Sequence, residues 1–180
     1  MKPRTLNITL AVLILAFTTN TSFLGAVRTD NYTPPDSIPS GWRKFDAYGK
    51  FSFYLPPSMR KTGVIGIENL HSEYTNGRMQ VSFDYEPFGF LAYEQRAIEF
   101  GRDFKEMELL VDGKKSFLFL YESRDRNNRR THNASLYVGD LPNRQVLMSM
   151  LVTSRSPNVG EVAKTIFSTI KFSTPSANKS

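Results

Sequence analysis

Apolar and polar residues alternate along much of the chain, and this period of two predicts β-strands. The segment Phe51–Leu55 alternates large apolar residues with Ser52 and Tyr54, as expected of a strand with one buried face. Pro56 and Pro57 end that strand, because proline lacks the N–H that a sheet ladder needs. A glycine-rich loop is predicted next, over residues 63–66.

Two dipeptides, Asn76-Gly77 and Asp112-Gly113, mark tight hairpin turns, since both tolerate the positive φ of such turns. The strand after the first turn places two sets of side chains on opposite faces. Its apolar set is Met79, Val81, Phe83 and Tyr85, and its polar set is Gln80, Ser82 and Asp84. This strand is predicted to have one wet face or to lie near a sheet edge.

Two further strands, at residues 116–121 and 146–152, are apolar on both faces. A polar loop is predicted over residues 123–132, followed by a strand near 136–138. An antiparallel sheet with one wet face would alternate in every strand. The two doubly apolar strands therefore lie centrally and need cover on both faces.

Two segments change to a helical period. The first stripe is spaced three, four, three and four residues, and its helix is predicted to end near Gly101. The second helix opens at Ser156-Pro157, with the proline at its first position. The stripes are Phe90, Tyr93, Ala97, Phe100 and Phe104, then Val159, Val162, Ile166 and Ile170. The predicted fold class is α+β, a mostly antiparallel sheet with an amphipathic helix on each face, that is, an α/β/α sandwich.

The N-terminus has the layout of a secretory signal. Basic residues in 1–5 precede a mainly apolar run over 6–17 and then small and polar residues over 18–22. The run is short for a membrane span of ~20 residues, which favours a cleaved signal. The alternative is an uncleaved anchor through residues 6–26. The predicted location is exported, periplasmic or extracellular, with contact to a membrane only through that segment.

Four parts follow from composition along the chain. Residues 1–26 form the signal, and 27–41 form a proline-rich linker. Residues 42–172 form a single domain, since ~150 residues suffice for one core. Residues 173–180 form a polar tail.

Composition excludes several kinds of chemistry. The 180 residues include no cysteine, which excludes disulfides, thiolate metal sites and cysteine nucleophiles. The net charge of +6 is mildly basic and does not favour a nucleic-acid partner in an exported protein. Nucleotide, dinucleotide and calcium-binding motifs are missing from the sequence, so no cofactor and no metal are predicted.

Catalytic motifs are also missing, and no catalytic residue is assigned. His71 and His132 belong to no H-x-x-x-H pattern, and no G-x-S-x-G elbow occurs. Triads can assemble from distant segments. An exported hydrolase therefore stays an alternative, favoured if either histidine lies in a pocket beside a serine and a carboxylate.

The segment from residue 124 to 130 is the strongest candidate binding site. It places Arg124, Arg126, Arg129 and Arg130 within seven residues, and arginine pairs bidentately with carboxylates and phosphates. The alternative is a solvated connector that keeps sheet edges apart. A possible groove is the second candidate. It is formed by Tyr85, Phe88 and Phe90 at a strand-to-helix joint.

The order of these elements resembles the α/β/α sandwich of the PsbP-like proteins and of the Mog-type Ran-binding factors. The resemblance covers roughly residues 42–172. It rests on Gly49–Pro56, the Val111–Lys115 hairpin and the closing Ile166–Phe172. It implies an exported, non-enzymatic binding or assembly module. Its partner is unidentified, either an envelope or extracellular protein or an anionic ligand.

Overall fold

The computed structural model describes residues 37–65, 70–86, 102–140 and 145–173. Ten strands and one helix lie in these ranges. In chain order they are β1 (Arg43–Ala47), β2 (Phe51–Leu55), β3 (Arg60–Ile65), β4 (Leu70–Thr75), β5 (Met79–Tyr85), β6 (Arg102–Val111), β7 (Lys114–Arg124), β8 (Arg130–Asp140), β9 (Gln145–Ser154), α1 (Val159–Ser168) and β10 (Lys171–Phe172).

The strands form two sheets. The larger has the order β3-β4-β5-β9-β8-β7-β6, and the smaller has the order β1-β2-β10. All strand pairs are antiparallel. The doubly apolar strands β7 and β9 lie inside the large sheet, as their sequences predict.

The main core lies between one face of the large sheet and a layer made of α1 and the small sheet. The large side chains of β2 are fully buried there, with Phe51, Phe53 and Leu55 each 0% exposed. Phe83 of β5 meets Phe51 and Phe53 edge-on, with ring centroids 5.0 and 5.7 Å apart. The apolar side chains that alternate along β2 and β5 therefore pack against each other between the two layers.

The opposite face of the large sheet carries a second, smaller aromatic cluster. Phe117, Phe119 and Tyr137 are buried in it, and Phe104 packs against them. Phe104 stacks on Phe119 at 5.6 Å. The prediction that Phe104 ends a helical stripe is wrong, because β6 already begins at Arg102 and carries this ring.

Helical cover is described on one face only. The predicted helix that ends near Gly101, with its stripe from Phe90, lies outside the described residues. The second predicted helix is α1, which begins at Val159 with Asn158 as its N-cap. Pro157 therefore precedes the cap instead of holding the first helical position. Ile170 follows the helix end, yet it is 0% exposed, as its place in the stripe predicts.

Two segments predicted as loops, one from its glycines and one from its polar residues, are partly strand. Residues 63–65 belong to edge strand β3, whose pairing with β4 shifts register between Lys61 and Ile65. The predicted loop over 123–132 is a turn of residues 125–129, since β7 and β8 continue to Arg124 and from Arg130. Side chains hydrogen-bond across these strands, as between the hydroxyls of Ser123 and Thr131 at 2.9 Å. Such pairs let polar residues occupy a sheet.

Both predicted hairpin turns are present. At the first, Asn76 accepts hydrogen bonds from the N–H groups of Arg78 and Met79. At the second, Asp112 and Gly113 adopt φ values of 49° and 76°, the left-handed conformation that such a turn requires.

Asp112 also fastens the small sheet to the large one. Its carboxylate accepts the backbone N–H of Phe172 at 2.8 Å and the Lys171 ammonium at 3.0 Å. The N–H of Phe172 first, and then Lys171, lower the pKa of Asp112 below its ordinary value. Strand β10 is thus held at the β6–β7 turn.

We expect Asp112→Asn to lower the free energy of unfolding by about 1 kcal/mol at pH 7, because it weakens a charge-assisted, partly exposed hydrogen bond. Asparagine tolerates the left-handed turn, so the turn is preserved. A carboxylate with a lowered pKa contributes stability above the unfolded-state value of about 3.9. That contribution disappears as pH falls through the folded pKa. Urea melts of both chains should differ at pH 7 and converge near pH 2, and a constant difference would contradict this.

Candidate functional site

Strand pairing brings arginines from three separate segments to one end of the large sheet. Met79, which begins β5, pairs with Ser154 at the end of β9, and Ser154 also pairs with His132 of β8. Arg130 of β8 pairs with Arg124 of β7. We call this surface the arginine end. It comprises Arg78, Arg124, Arg126, Arg129, Arg130 and Arg155.

The turn of residues 125–129 is built around the Asp125 carboxylate. This group accepts the backbone N–H of Asn127 and of Arg129, each at 2.9 Å. It also accepts Nε of Arg129 at 2.8 Å, and Nη2 of the same side chain lies 2.8 Å away. Asn128 adopts a φ of 60°, and Nη1 of Arg124 donates to its carbonyl oxygen at 2.7 Å.

These contacts set the charge of the turn. Hydrogen bonds from the backbone and then the side chain of Arg129 hold the pKa of Asp125 below its ordinary value. Asp125 therefore stays ionised at neutral and mildly acidic pH, and its contacts with the turn persist. The predicted arginine segment contains an internally hydrogen-bonded turn.

The six guanidinium groups differ in how far they are already paired. Arg129 is held by Asp125, and Arg130 Nε lies 3.4 Å from Glu122. Arg155 reaches Asp125 only at 4.0 Å. Within the described part of the chain, the side chains of Arg78 and Arg126 have no hydrogen-bond or ion-pair partner. Those two and Arg155 are the groups best placed to meet a ligand.

Glu122, His132 and Ser154 form a row across three adjacent strands of this end. Nδ1 of His132 lies 3.2 Å from Oε1 of Glu122, as in an acid–histidine pair. The Ser154 hydroxyl donates to the Arg78 carbonyl at 3.2 Å and accepts the N–H of Ser156 at 3.1 Å. Ser154 is only 8% exposed. Because its hydroxyl is committed to backbone groups, the row fits a structural serine better than a nucleophile.

His71 lies elsewhere on the sheet, paired with Asp84 of the neighbouring strand at 2.9 Å. His71, Asp84 and Ser149 also lie opposite one another on three adjacent strands. In this row the carboxylate lies between the histidine and the serine, so His71 is not next to Ser149. No cluster of three or more His, Asp or Glu side chains in the described ranges could hold a metal ion.

The predicted aromatic groove is only partly described. Phe88 and Phe90 lie outside the described residues. Tyr85 stacks on Phe51 at 6.0 Å, and the Lys50 ammonium lies 5.8 Å above its ring. Burial, and then Glu86, raise the pKa of Tyr85. This ring packs against the core, which is a structural use of the side chain.

A cavity of about 330 Å³ lies on the outer face of the small sheet. Its lining includes Lys44, Tyr54, Thr169 and Lys171. Thr169 accepts the N–H of Tyr54 at 2.9 Å and donates to the Ile166 carbonyl, while Lys171 is paired with Asp112. Thr169 thus joins the end of α1 to β2, and Lys171 joins β10 to the β6–β7 turn. The polar groups that line the cavity therefore hold structural elements together.

Sequence reasoning found four of the six arginines and missed Arg78 and Arg155. Those two stand alone in the sequence, and only the order of strands β5, β9, β8 and β7 places them beside the turn. Among the described residues, no helix combines the length and apolar character that crossing a membrane requires.

Comparison with known proteins supports the fold alone. No protein-family model matches the chain, and no curated protein matches it. Among solved structures, the chain is similar to the solution structure of cyanobacterial PsbP (CyanoP) from Synechocystis sp. PCC 6803, with a TM-score of 0.51 and 10% identity. The match covers 79% of this chain and 98% of the cyanobacterial one. The chain therefore has a PsbP-like fold, sheet-dominated and α+β, while the resemblance to Mog-type factors stays a prediction.

Proposed function

We propose that the protein is an exported, non-enzymatic binding or assembly module whose arginine end contacts an acidic partner. One observation carries this proposal. Six arginines from three segments, distant in sequence, converge at one end of the sheet. Only two carboxylates, Glu122 and Asp125, form ion pairs with these six arginines among the described residues, so most of their positive charge is not neutralised by ion pairs.

The shape of the arginine end favours an extended partner. Four adjacent strands, β5, β9, β8 and β7, end there. Adjacent strands are ~4.8 Å apart, so these ends span roughly 14 Å. A single small anion would cover only part of that width. A partner with several anionic groups, such as an acidic face of an envelope or extracellular protein, would meet most of the guanidinium groups at once.

The turn geometry supports binding in a second way. Asp125 fixes the backbone of residues 125–129 before any partner arrives. Less conformational entropy is then lost when a partner orders this loop. That the protein is exported and that its partner is acidic are both part of this proposal.

Binding to heparin, a sulfated polysaccharide, tests the proposal. The sulfate groups of heparin keep their negative charge between pH 5.5 and pH 8.0. We expect replacement of Arg78, Arg126 and Arg155 by serine to weaken binding roughly tenfold. Each exposed ion contact contributes up to about 1 kcal/mol, and 1.4 kcal/mol corresponds to tenfold. These three arginines leave the contacts inside the turn intact. The dissociation constant of the unmodified chain should also rise with salt, since the Debye length is only about 8 Å at physiological ionic strength.

The matched control changes net charge equally but elsewhere. Lys44, Lys50 and Lys114 are exposed. The first two lie on or beside the small sheet, and Lys114 follows the β6–β7 turn at the far end of the large sheet, so their replacement by serine should leave affinity within about twofold. Circular dichroism checks that both triple variants fold. Equal weakening by the two variants would show that net charge alone drives binding, and it would overturn the proposed site.

A further inference from the structure

One carboxylate at the arginine end is shared between a histidine and an arginine. Oε1 of Glu122 lies 3.2 Å from Nδ1 of His132, and Oε2 lies 3.4 Å from Nε of Arg130. The side chains of His132 and Glu122 are 17% and 19% exposed. Glu122 thus occupies part of the guanidinium face that Arg130 could otherwise offer to a partner.

The charged groups around His132 come from every element packed beside it. Strand β7 contributes Glu122 directly opposite and Arg124 two residues further along. Strand β8 itself contributes Arg130, and Arg155 follows the end of β9. Helix α1, which packs on β8, carries Glu161 and Lys164, which pair with each other at 3.1 Å. Glu122 is therefore the carboxylate that meets His132 directly.

We propose that His132 is a pH-sensitive switch that strengthens binding at the arginine end under acidic conditions. This inference rests on the proposed function. A histidine side chain ordinarily changes charge between about pH 5 and 8. When His132 gains a proton, it adds a positive charge to the arginine end and attracts Glu122 more strongly. Arg130 is then less tightly paired and more available to the anionic partner.

Thermodynamic linkage makes the effect reciprocal. If protonation of His132 strengthens binding of a polyanion, the bound polyanion must favour protonation by the same factor. Binding should therefore take up protons from solution. This uptake depends on neither the identity of the natural partner nor any enzymatic activity.

The test compares heparin affinity at pH 8.0 and pH 5.5 at constant ionic strength. One unit charge about 6 Å from an anionic group in water corresponds to roughly a threefold change in affinity. We expect the unmodified chain to bind at least about threefold more tightly at pH 5.5, and His132→Gln to remove most of that gain. The chain has two histidines, so His71→Gln is the matched control and should keep the gain.

Two further measurements test the His132 switch if the His132→Gln variant folds poorly. The first is an NMR titration of the unmodified chain, in which His132 should protonate at a higher pH with heparin present than without it. The second is Glu122→Gln, which should strengthen binding at pH 8.0 by releasing Arg130. An unchanged His132 titration, or a pH gain that survives in His132→Gln, would overturn the switch. Heparin binding that is equal at both pH values refutes the switch alone, whereas no binding at either pH refutes the proposed function as well.

Discussion

We expect Gly139→Ala to reduce the free energy of unfolding by about 3 kcal/mol or more, since a positive-φ strain and a backbone clash combine. Gly139 has a φ of 136° and lies in β8 at a register shift opposite Val146 of β9. A Cβ added there would overlap the carbonyl oxygen of Gln145 and lie 3.0 Å from the backbone nitrogen of Leu147. Backbone atoms cannot rotate away as a side chain could, so the β8–β9 pairing itself must shift.

Gly63→Ala provides the control for that substitution. A Cβ at Gly63 would meet no atom within 4 Å, and the backbone there needs no left-handed conformation. Its effect should stay within about 0.5 kcal/mol. Urea denaturation of the three chains measures both effects. A loss below about 1 kcal/mol for Gly139→Ala would mean that the irregular pairing next to Gly139 relaxes easily.

We expect Phe119→Ala to cost roughly 3–5 kcal/mol, through lost transfer free energy and the cavity left behind. Phe119 lies on β7 between β6 and β8 and is 2% exposed. Its ring stacks on Phe104 and meets Tyr137 edge-on, with both centroids 5.6 Å away. Removing the ring therefore disrupts most of the second aromatic cluster at once.

Leu110→Ala on neighbouring β6 is the matched control, since Leu110 is 68% exposed. It should cost less than about 1 kcal/mol, because exposed positions contribute little. Denaturant unfolding midpoints of the unmodified chain and the two variants measure both losses of stability. Similar losses would show that the second face of the sheet is not a packed core at Phe119.

The period of two in the sequence predicted strands well wherever burial differed between faces. The faces of β5 follow the predicted alternation, with Val81 and Phe83 buried and Ser82 on the other side. Phe119 and Met148, which lie on the two strands that are apolar on both faces, are 2% and 0% exposed. These features are local, because a strand's own pattern records which of its faces is covered.

Elements whose pairing depends on distant residues were harder to predict. Strand β10 has two residues and exists because it pairs with β2 and is held by Asp112. Strand β1 lies at a sheet edge with an exposed start, so its pattern is weak. In the site, the cluster in the turn was visible as a run of arginines, but Arg78 and Arg155 join it only through the pairing of β5 with β9. That pairing is a property of topology, not of local sequence.

In the proposed function, the arginine end and no other charged surface of the molecule contacts an acidic partner. The most direct measurement is an NMR titration with heparin at physiological salt, following backbone and arginine Nε–H signals. We expect perturbations at Arg78, at residues 124–130 and at Arg155. Little change is expected near Lys114, which begins β7 at the opposite end of the large sheet, or near Lys50, whose ammonium lies over Tyr85. Perturbations concentrated at those lysines, or spread evenly over all exposed basic residues, would contradict contact through the arginine end.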